Sequence, residues 1–134
     1  MLAVVGFLVY FAVVLAMAVA WNIGLFRHRY TILAGAFLRE PPLFASGMTA
    51  IAIQAIAMVI AFGLLYPAGQ LDPIQGLKIA FLVNVGSVTY GALVVPGKFA
   101  ITDVGGWVLI ELAYGLLVTI LVGAALTAVW SLLG

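Results

Sequence analysis

Four long apolar stretches leave this chain few ways to fold. The first runs from Met1 to about Phe26 without a charge, the second from about Leu43 to Tyr66. The third runs from about Ile74 to Val95, with Lys78 near its start, and the fourth from about Val104 to Leu133. Each matches the roughly 20 residues that a helix needs to cross a hydrocarbon core about 30 Å thick. Strands cross lipid only as closed barrels, whose segments alternate apolar and polar residues. These stretches do not alternate. The sequence therefore predicts an all-α polytopic membrane protein, a four-transmembrane-helix bundle. Residues 1–134 form a single membrane domain, with helices at about 1–26, 43–66, 74–95 and 104–133.

Composition agrees. Of 134 residues, 67% are hydrophobic and 7% charged, against about 25% charged in water-soluble domains. So few charges cannot cover a water-facing surface. A net charge of +1 gives no footprint for nucleic acid. The absence of cysteine excludes disulfides, thiolate metal sites and cysteine nucleophiles. His28 is the single histidine, flanked by Arg27 and Arg29, so neither a metal nor a haem site is expected. No Ser-His-Asp grouping, glycine-rich phosphate loop or carboxylate pair is present. Asp103 and Glu111 lie eight residues apart, at different depths. The expectation is a protein without catalytic residues, cofactor or metal. Ala18-Val19-Ala20 resembles a signal-peptide cleavage site, but no basic residue precedes it and the apolar run continues to Phe26. The first stretch is read as a membrane helix.

Turn residues punctuate the connections. Pro41-Pro42 opens the second helix, Tyr66-Pro67-Ala68-Gly69 closes it, and Asp72-Pro73 begins the third. Pro96-Gly97-Lys98 is expected to end the third, and Thr102 or Asp103 to cap the fourth. Arg27, Arg29, Arg39 and Lys98 flank the first and third connections, against Lys78 alone beside the second. The positive-inside rule then puts those two connections in the cytoplasm and both termini outside, in the cell (inner) membrane. Trp21, Tyr30, Tyr66, Trp107 and Trp130 fall near the expected interfaces. The segment Arg27 to Glu40 reads as a helix extension with snorkelling arginines, or as a docking site for anionic lipid or a partner.

Glu111 is the charge set deepest in an apolar run. A charged side chain near a helix centre costs roughly 2.5–3.5 kcal/mol on insertion scales, so such residues are functional candidates by default. At 1.5 Å per residue it lies about 10 Å along the fourth helix from Val104. Trp107, Glu111, Gly115, Thr119, Gly123 and Thr127 recur every four residues, which puts them on one slowly drifting face. Small residues at this spacing let a second helix approach closely. Glu111 is thus expected to face a packing seam. Ala12, Ala16, Ala20 and Gly24 form a matching stripe on the first helix.

Further polar groups fall at membrane depth: Asn22, Gln54, Asn84, Ser87 and Tyr90. Each needs a hydrogen-bond partner when buried. Ala50, Gln54, Ala57 and Ala61 share a face of the second helix. Gly76, Ala80, Asn84, Ser87 and Gly91 share one of the third. The binding or buried polar candidates are Glu111, Asn22, Gln54, Asn84, Tyr90, Trp107 and Tyr114. Two arrangements are equally open for Glu111: a protonated carboxyl that donates to Asn22 or Asn84, or a carboxylate that binds a transported proton. The packing candidates are Ala16, Ala20, Gly115, Thr119 and Gly123.

From Trp21 to Trp130 the chain resembles a family of small four-helix bacterial membrane proteins known only as a domain of unknown function. The features are Trp21 followed by Arg29-Tyr30, Pro67-Ala68, Tyr90, and Ile101-Thr102-Asp103…Trp107…Glu111-Leu112-Ala113-Tyr114-Gly115. The family pattern has Thr-Asn before a Trp and then Asp-x-x-Trp-Gly. Here Asp103, Glu111 and Tyr114 replace the Asn, Asp and Trp. The resemblance implies an acidic residue at the Glu111 position and no activity. Small multidrug transporters also combine four helices with one membrane glutamate, but theirs lies in the first helix.

Two functions remain in view. One is a non-catalytic membrane subunit or small-ligand or lipid-binding bundle. The other is a proton- or cation-coupled small-solute transporter using Glu111. Membrane lipids are the expected partners, with a second copy or another membrane protein alongside.

Overall fold

The computed structural model describes residues 1–35, 38 and 43–134. Arg39, Glu40 and the expected helix start at Pro41-Pro42 fall outside them. Helix α1 spans Leu2–Val19 and continues through a π-helical segment, Ala20–Leu25. Phe26 breaks the path, and α2 follows over Arg27–Ala34. Then come α3 over Phe44–Leu65, α4 over Pro73–Thr89, a second π-helical segment at Tyr90–Val94, the single turn α5 over Val95–Lys98, and α6 over Val104–Leu133. No strand occurs among the described residues. Four helical stretches are long and apolar enough to cross a membrane: Leu2–Leu25, Phe44–Leu65, Pro73–Lys98 and Val104–Leu133. The chain is a multi-pass integral membrane protein.

The third span runs three residues past the expected bound at Val95, and Pro96-Gly97-Lys98 forms its last turn. The π-helical segment resets the helical register, and Pro96 then enters in the first turn of α5. Val95 still donates five residues back to the Tyr90 carbonyl, and Pro96, next on the same helical path, has no N–H to give the following carbonyl, Gly91.

In the bundle, α1 lies against α3 and α6, and α4 against α6 and α3. The α4–α6 seam is the closest. A Cβ on Gly76 would collide with the Thr127 hydroxyl, and one on Gly115 with the Val88 side chain. Gly123 faces Leu77 and Ala80 across the same seam. In lipid no hydrophobic effect drives helices together, so such close backbone approach, with its many dispersion contacts, holds them. Asn84 donates to the Thr119 hydroxyl at 3.2 Å, and Thr119 donates to the Gly115 carbonyl at 2.7 Å. Tyr10, Met58, Phe62, Val122 and Leu126 fill the interior beside the seam.

On α1 the expected stripe is not the packing face. Ala12, Ala16, Ala20 and Gly24 are exposed on the outer surface. The buried face is Gly6, Tyr10 and Val14. Gly6 makes room for the Trp130 ring, and the Tyr10 hydroxyl donates to the Gln54 side-chain oxygen at 3.4 Å. Shape and a hydrogen bond outweigh mere smallness where lipid competes equally well for every alanine. The same correction applies to α3, which buries Ile51, Ala55, Met58 and Phe62. Ala50 and Ala57 are exposed, and Gln54 sits at the edge of the interface, donating to Ser87 at 2.7 Å.

The α3–α4 turn is closed by Tyr66. Its hydroxyl donates to the Gln70 carbonyl at 3.0 Å and accepts the Asp72 amide at 2.9 Å. Asp72 caps α4 through the Gln75 amide at 3.0 Å. Gly69 takes a positive φ of 74°, which glycine adopts freely, and its amide donates to the Trp130 carbonyl at 3.0 Å. This ties the turn to the end of α6.

Overpacking a tight seam typically costs about 1–3 kcal/mol. Gly76→Val is therefore expected to lower the thermal unfolding midpoint in detergent. Gly86→Ala, which adds a methyl into open space, serves as the silent control.

Candidate functional site

The first connection and the start of α6 are locked together. Asp103 caps α6 by accepting the Gly106 amide at 2.9 Å, and it pairs with Arg29 at 3.2 Å. Thr102, the other expected cap, does something else. Its hydroxyl donates to the Ile32 carbonyl at 2.9 Å and its amide to the Leu33 carbonyl at 3.2 Å. Thr102 thus satisfies carbonyls at the end of α2 that the helix itself cannot. These contacts fold α2 back across the bundle and bury Tyr30, Leu33 and Ala34.

Tyr30 then reaches Glu111. Its hydroxyl donates to the Glu111 Oε1 at 2.5 Å. Burial first, and then this hydrogen bond, push the Tyr30 phenol above its ordinary pKa, so it remains the donor. Neither Asn22 nor Asn84 takes that place. Asn22 donates to the Ala18 carbonyl of its own helix at 3.0 Å, and Asn84 is engaged with Thr119. Both amides have a nearer acceptor, whereas a phenol carried on α2 reaches the carboxylate from the interface.

The second carboxylate oxygen sits against the π-helical segment that ends the third span. A Cβ on Gly91 would lie 3.1 Å from Glu111 Oε2, so glycine there gives the carboxylate its room. The Trp107 indole N–H donates to the Gly91 carbonyl at 2.8 Å. The widened turn takes backbone groups out of the regular helical ladder, and inside a membrane each needs a substitute partner. Trp107 also meets Tyr30 edge-on, with ring centroids 5.8 Å apart. Trp21, in the other π-helical segment, packs tilted against Phe26 with ring centroids 4.4 Å apart and meets Tyr114 at 5.8 Å. Both π-helical segments therefore flank Glu111, and such irregularities recur at functional sites.

Beside this constellation lies a cleft of about 640 Å³. Ligand pockets commonly span about 300–1,000 Å³. Leu15 and Val19 of α1 and Asn22 of the following π-helical segment form one wall, and Phe44, Met48 and Ile51 of α3 the other. Arg27, Tyr30, Trp107 and Glu111 line its α2 and α6 sides. The cleft exists because α3 splays away at its start: every residue from Leu43 to Ala50 is exposed. Its walls are apolar apart from Asn22, Arg27, Tyr30 and Glu111. Such a site can hold a chain-like apolar molecule while contacting a polar group at one side.

The remaining candidates lie elsewhere. Tyr90 is exposed, with Lys98 5.5 Å above its ring, so it is neither buried nor part of the cleft. The π-helical turn that begins at Tyr90 carries it to the outside. Tyr114 is half-buried against the core, and Gln54, Asn84 and Thr119 serve helix contacts. Gly115 and Gly123 lie in the α4–α6 seam. Ala16 and Ala20 are on the outer surface. His28 is exposed, and no group of three or more potential metal ligands occurs among the described residues. Sequence reasoning missed Tyr30 as a partner and Arg27 as a wall. The one available signal was their place beside a charged connection, which also suits plain interfacial anchors.

Tyr30→Phe and Glu111→Gln are expected to be non-additive. A double-mutant cycle on unfolding should return a coupling of about 0.5–3 kcal/mol, the usual range for residues in contact. Additive effects would remove the hydrogen bond from the account. Glu111→Lys, which puts a cation against Gly91 and leaves Tyr30 without its acceptor, is expected to cut folded yield. Normal abundance of that variant would show that the side chain is not held inside.

Comparison with protein-family models, with curated proteins and with solved structures gives no match for this chain.

Proposed function

We propose that this protein is a non-catalytic bundle that binds a small amphipathic molecule, a lipid or lipid-like ligand, within the membrane. The observation that carries the reading is the cleft between α1 and α3, apolar along its walls and ending on Glu111, Tyr30, Asn22 and Arg27. An apolar pocket with a few convergent polar groups is the usual form of a small-molecule site. The family resemblance supplies an acidic residue at the Glu111 position and no activity, so the reading rests on geometry. Transport through the bundle is the weaker reading. Beyond the cleft, Tyr10, Met58, Phe62, Val122 and Leu126 fill the interior, and no second charge lies along it among the described residues. Arg27, Arg29 and Lys98 mark the cleft end as cytoplasmic in the cell membrane, with both termini outside. A second copy or a partner membrane protein remains a natural neighbour for the exposed faces of α1 and α3.

Gentle detergent extraction followed by native mass spectrometry tests this. The wild-type chain should retain a bound amphiphile. Gly47→Trp, which projects a ring into the cleft from a position with open space around it, should retain none while remaining folded. A wild-type chain that carries no ligand would sink the proposal. Glu111-dependent proton flux in proteoliposomes would replace it with the transporter reading.

A further inference from the structure

Among the described residues, Glu111 is the one charged side chain that is not exposed. Its hydrogen bond comes from a neutral group, the Tyr30 phenol, and no cation pairs with it among these residues. The cations at this end have partners of their own. Arg29 pairs with Asp103, and Lys98 lies over the Tyr90 ring. Arg27 is exposed and already engaged in an interaction. A hydrogen bond from a neutral donor steadies a carboxylate without cancelling its charge, and at membrane depth that charge is costly. A proton or a cation relieves it. The surroundings favour the cation. Glu111 lines an open cleft, and Trp107 and Tyr30 line it too. Their rings meet at 85°, forming a corner beside the carboxylate. Aromatic faces attract cations, alkylated ammonium groups above all. A proton would need neither the rings nor the space.

We infer that the ligand is a cationic amphiphile: its alkylated ammonium head lies against Glu111 and the corner of Trp107 and Tyr30, and its hydrocarbon chain lies between α1 and α3. The proposal rests on the amphiphile-binding reading above and adds the charge of the head. The chain runs along Leu15, Val19, Met48 and Ile51. Arg27 takes no part in the recognition, since an exposed charge is screened by water and salt. An anionic head would be repelled by the carboxylate, and an uncharged head would leave its charge unmet. Selection among heads follows from that difference.

The test is a competition. The protein, in neutral maltoside micelles, is offered equal amounts of three single-chain amphiphiles with the same tail. Their heads are trimethylammonium, an uncharged glycol and phosphate, and native mass spectrometry reads which is retained. The trimethylammonium compound should be retained about tenfold or more over the glycol, on the scale of one partly desolvated charge pair with a cation–π contact. The phosphate should be retained least. Glu111→Gln keeps an acceptor for Tyr30 and should remove most of the preference for trimethylammonium. Trp107→Leu, which takes away one ring of the corner, should cut that preference severalfold. Equal retention of the three heads by the wild type, or a preference for phosphate, would overturn the cation and leave amphiphile binding standing. Retention of none would overturn both. A trimethylammonium preference undiminished in both variants would place the head elsewhere and overturn the assignment.

Discussion

A carboxylate inside a membrane helix must be given a donor, and here the donor comes from outside the four spans. Tyr30 sits on α2, and its hydroxyl reaches Glu111 only because α2 is folded back over the bundle. Thr102 fastens the end of α2, Arg29 and Asp103 its start. With α2 in place, the end of α1 is carried past Phe26 and the start of α3 stands apart from it. The cleft is the space left between them. The cost of one buried charge thus shapes a whole end of the molecule.

The interior is organised differently. There the close approach of α4 and α6 decides the geometry, with Gly76, Gly115 and Gly123 at the points of contact. Short polar links, Asn84 to Thr119 and Gln54 to Ser87, join neighbouring helices without opening a wet path. Interhelical hydrogen bonds of this kind contribute about 0.6 kcal/mol each on average. They fix register more than they hold the bundle together. The seam is closely packed, while the cleft end is irregular, with two π-helical segments and a broken helix.

The spans were legible in the sequence because length and apolarity alone determine what crosses a bilayer. The α6 stripe was legible too, since glycine and threonine every four residues leave one face suited to close contact. The α1 stripe misled for the same reason. Alanine lies as comfortably against lipid as against a helix, so Ala16 and Ala20 carry no signal of their own, and the decisive residue was Gly6 beneath Trp130. The partner of Glu111 was not legible. Tyr30 lies 81 positions away, and an interfacial tyrosine looks the same whether its hydroxyl meets water or a carboxylate. The cleft was not legible either, because it arises from where α3 departs from α1, and no residue pattern records that departure.

The splay of α3 confines all of this to one half of the bundle's thickness. Near the termini the four helices are filled tightly by Trp130, Phe62 and Tyr66. Around the first and third connections the section is gapped by the cleft. The bundle is therefore closed at one end and open at the other, between α1 and the start of α3. On the amphiphile-binding reading, a ligand enters sideways through that opening and samples only the lipids beside it.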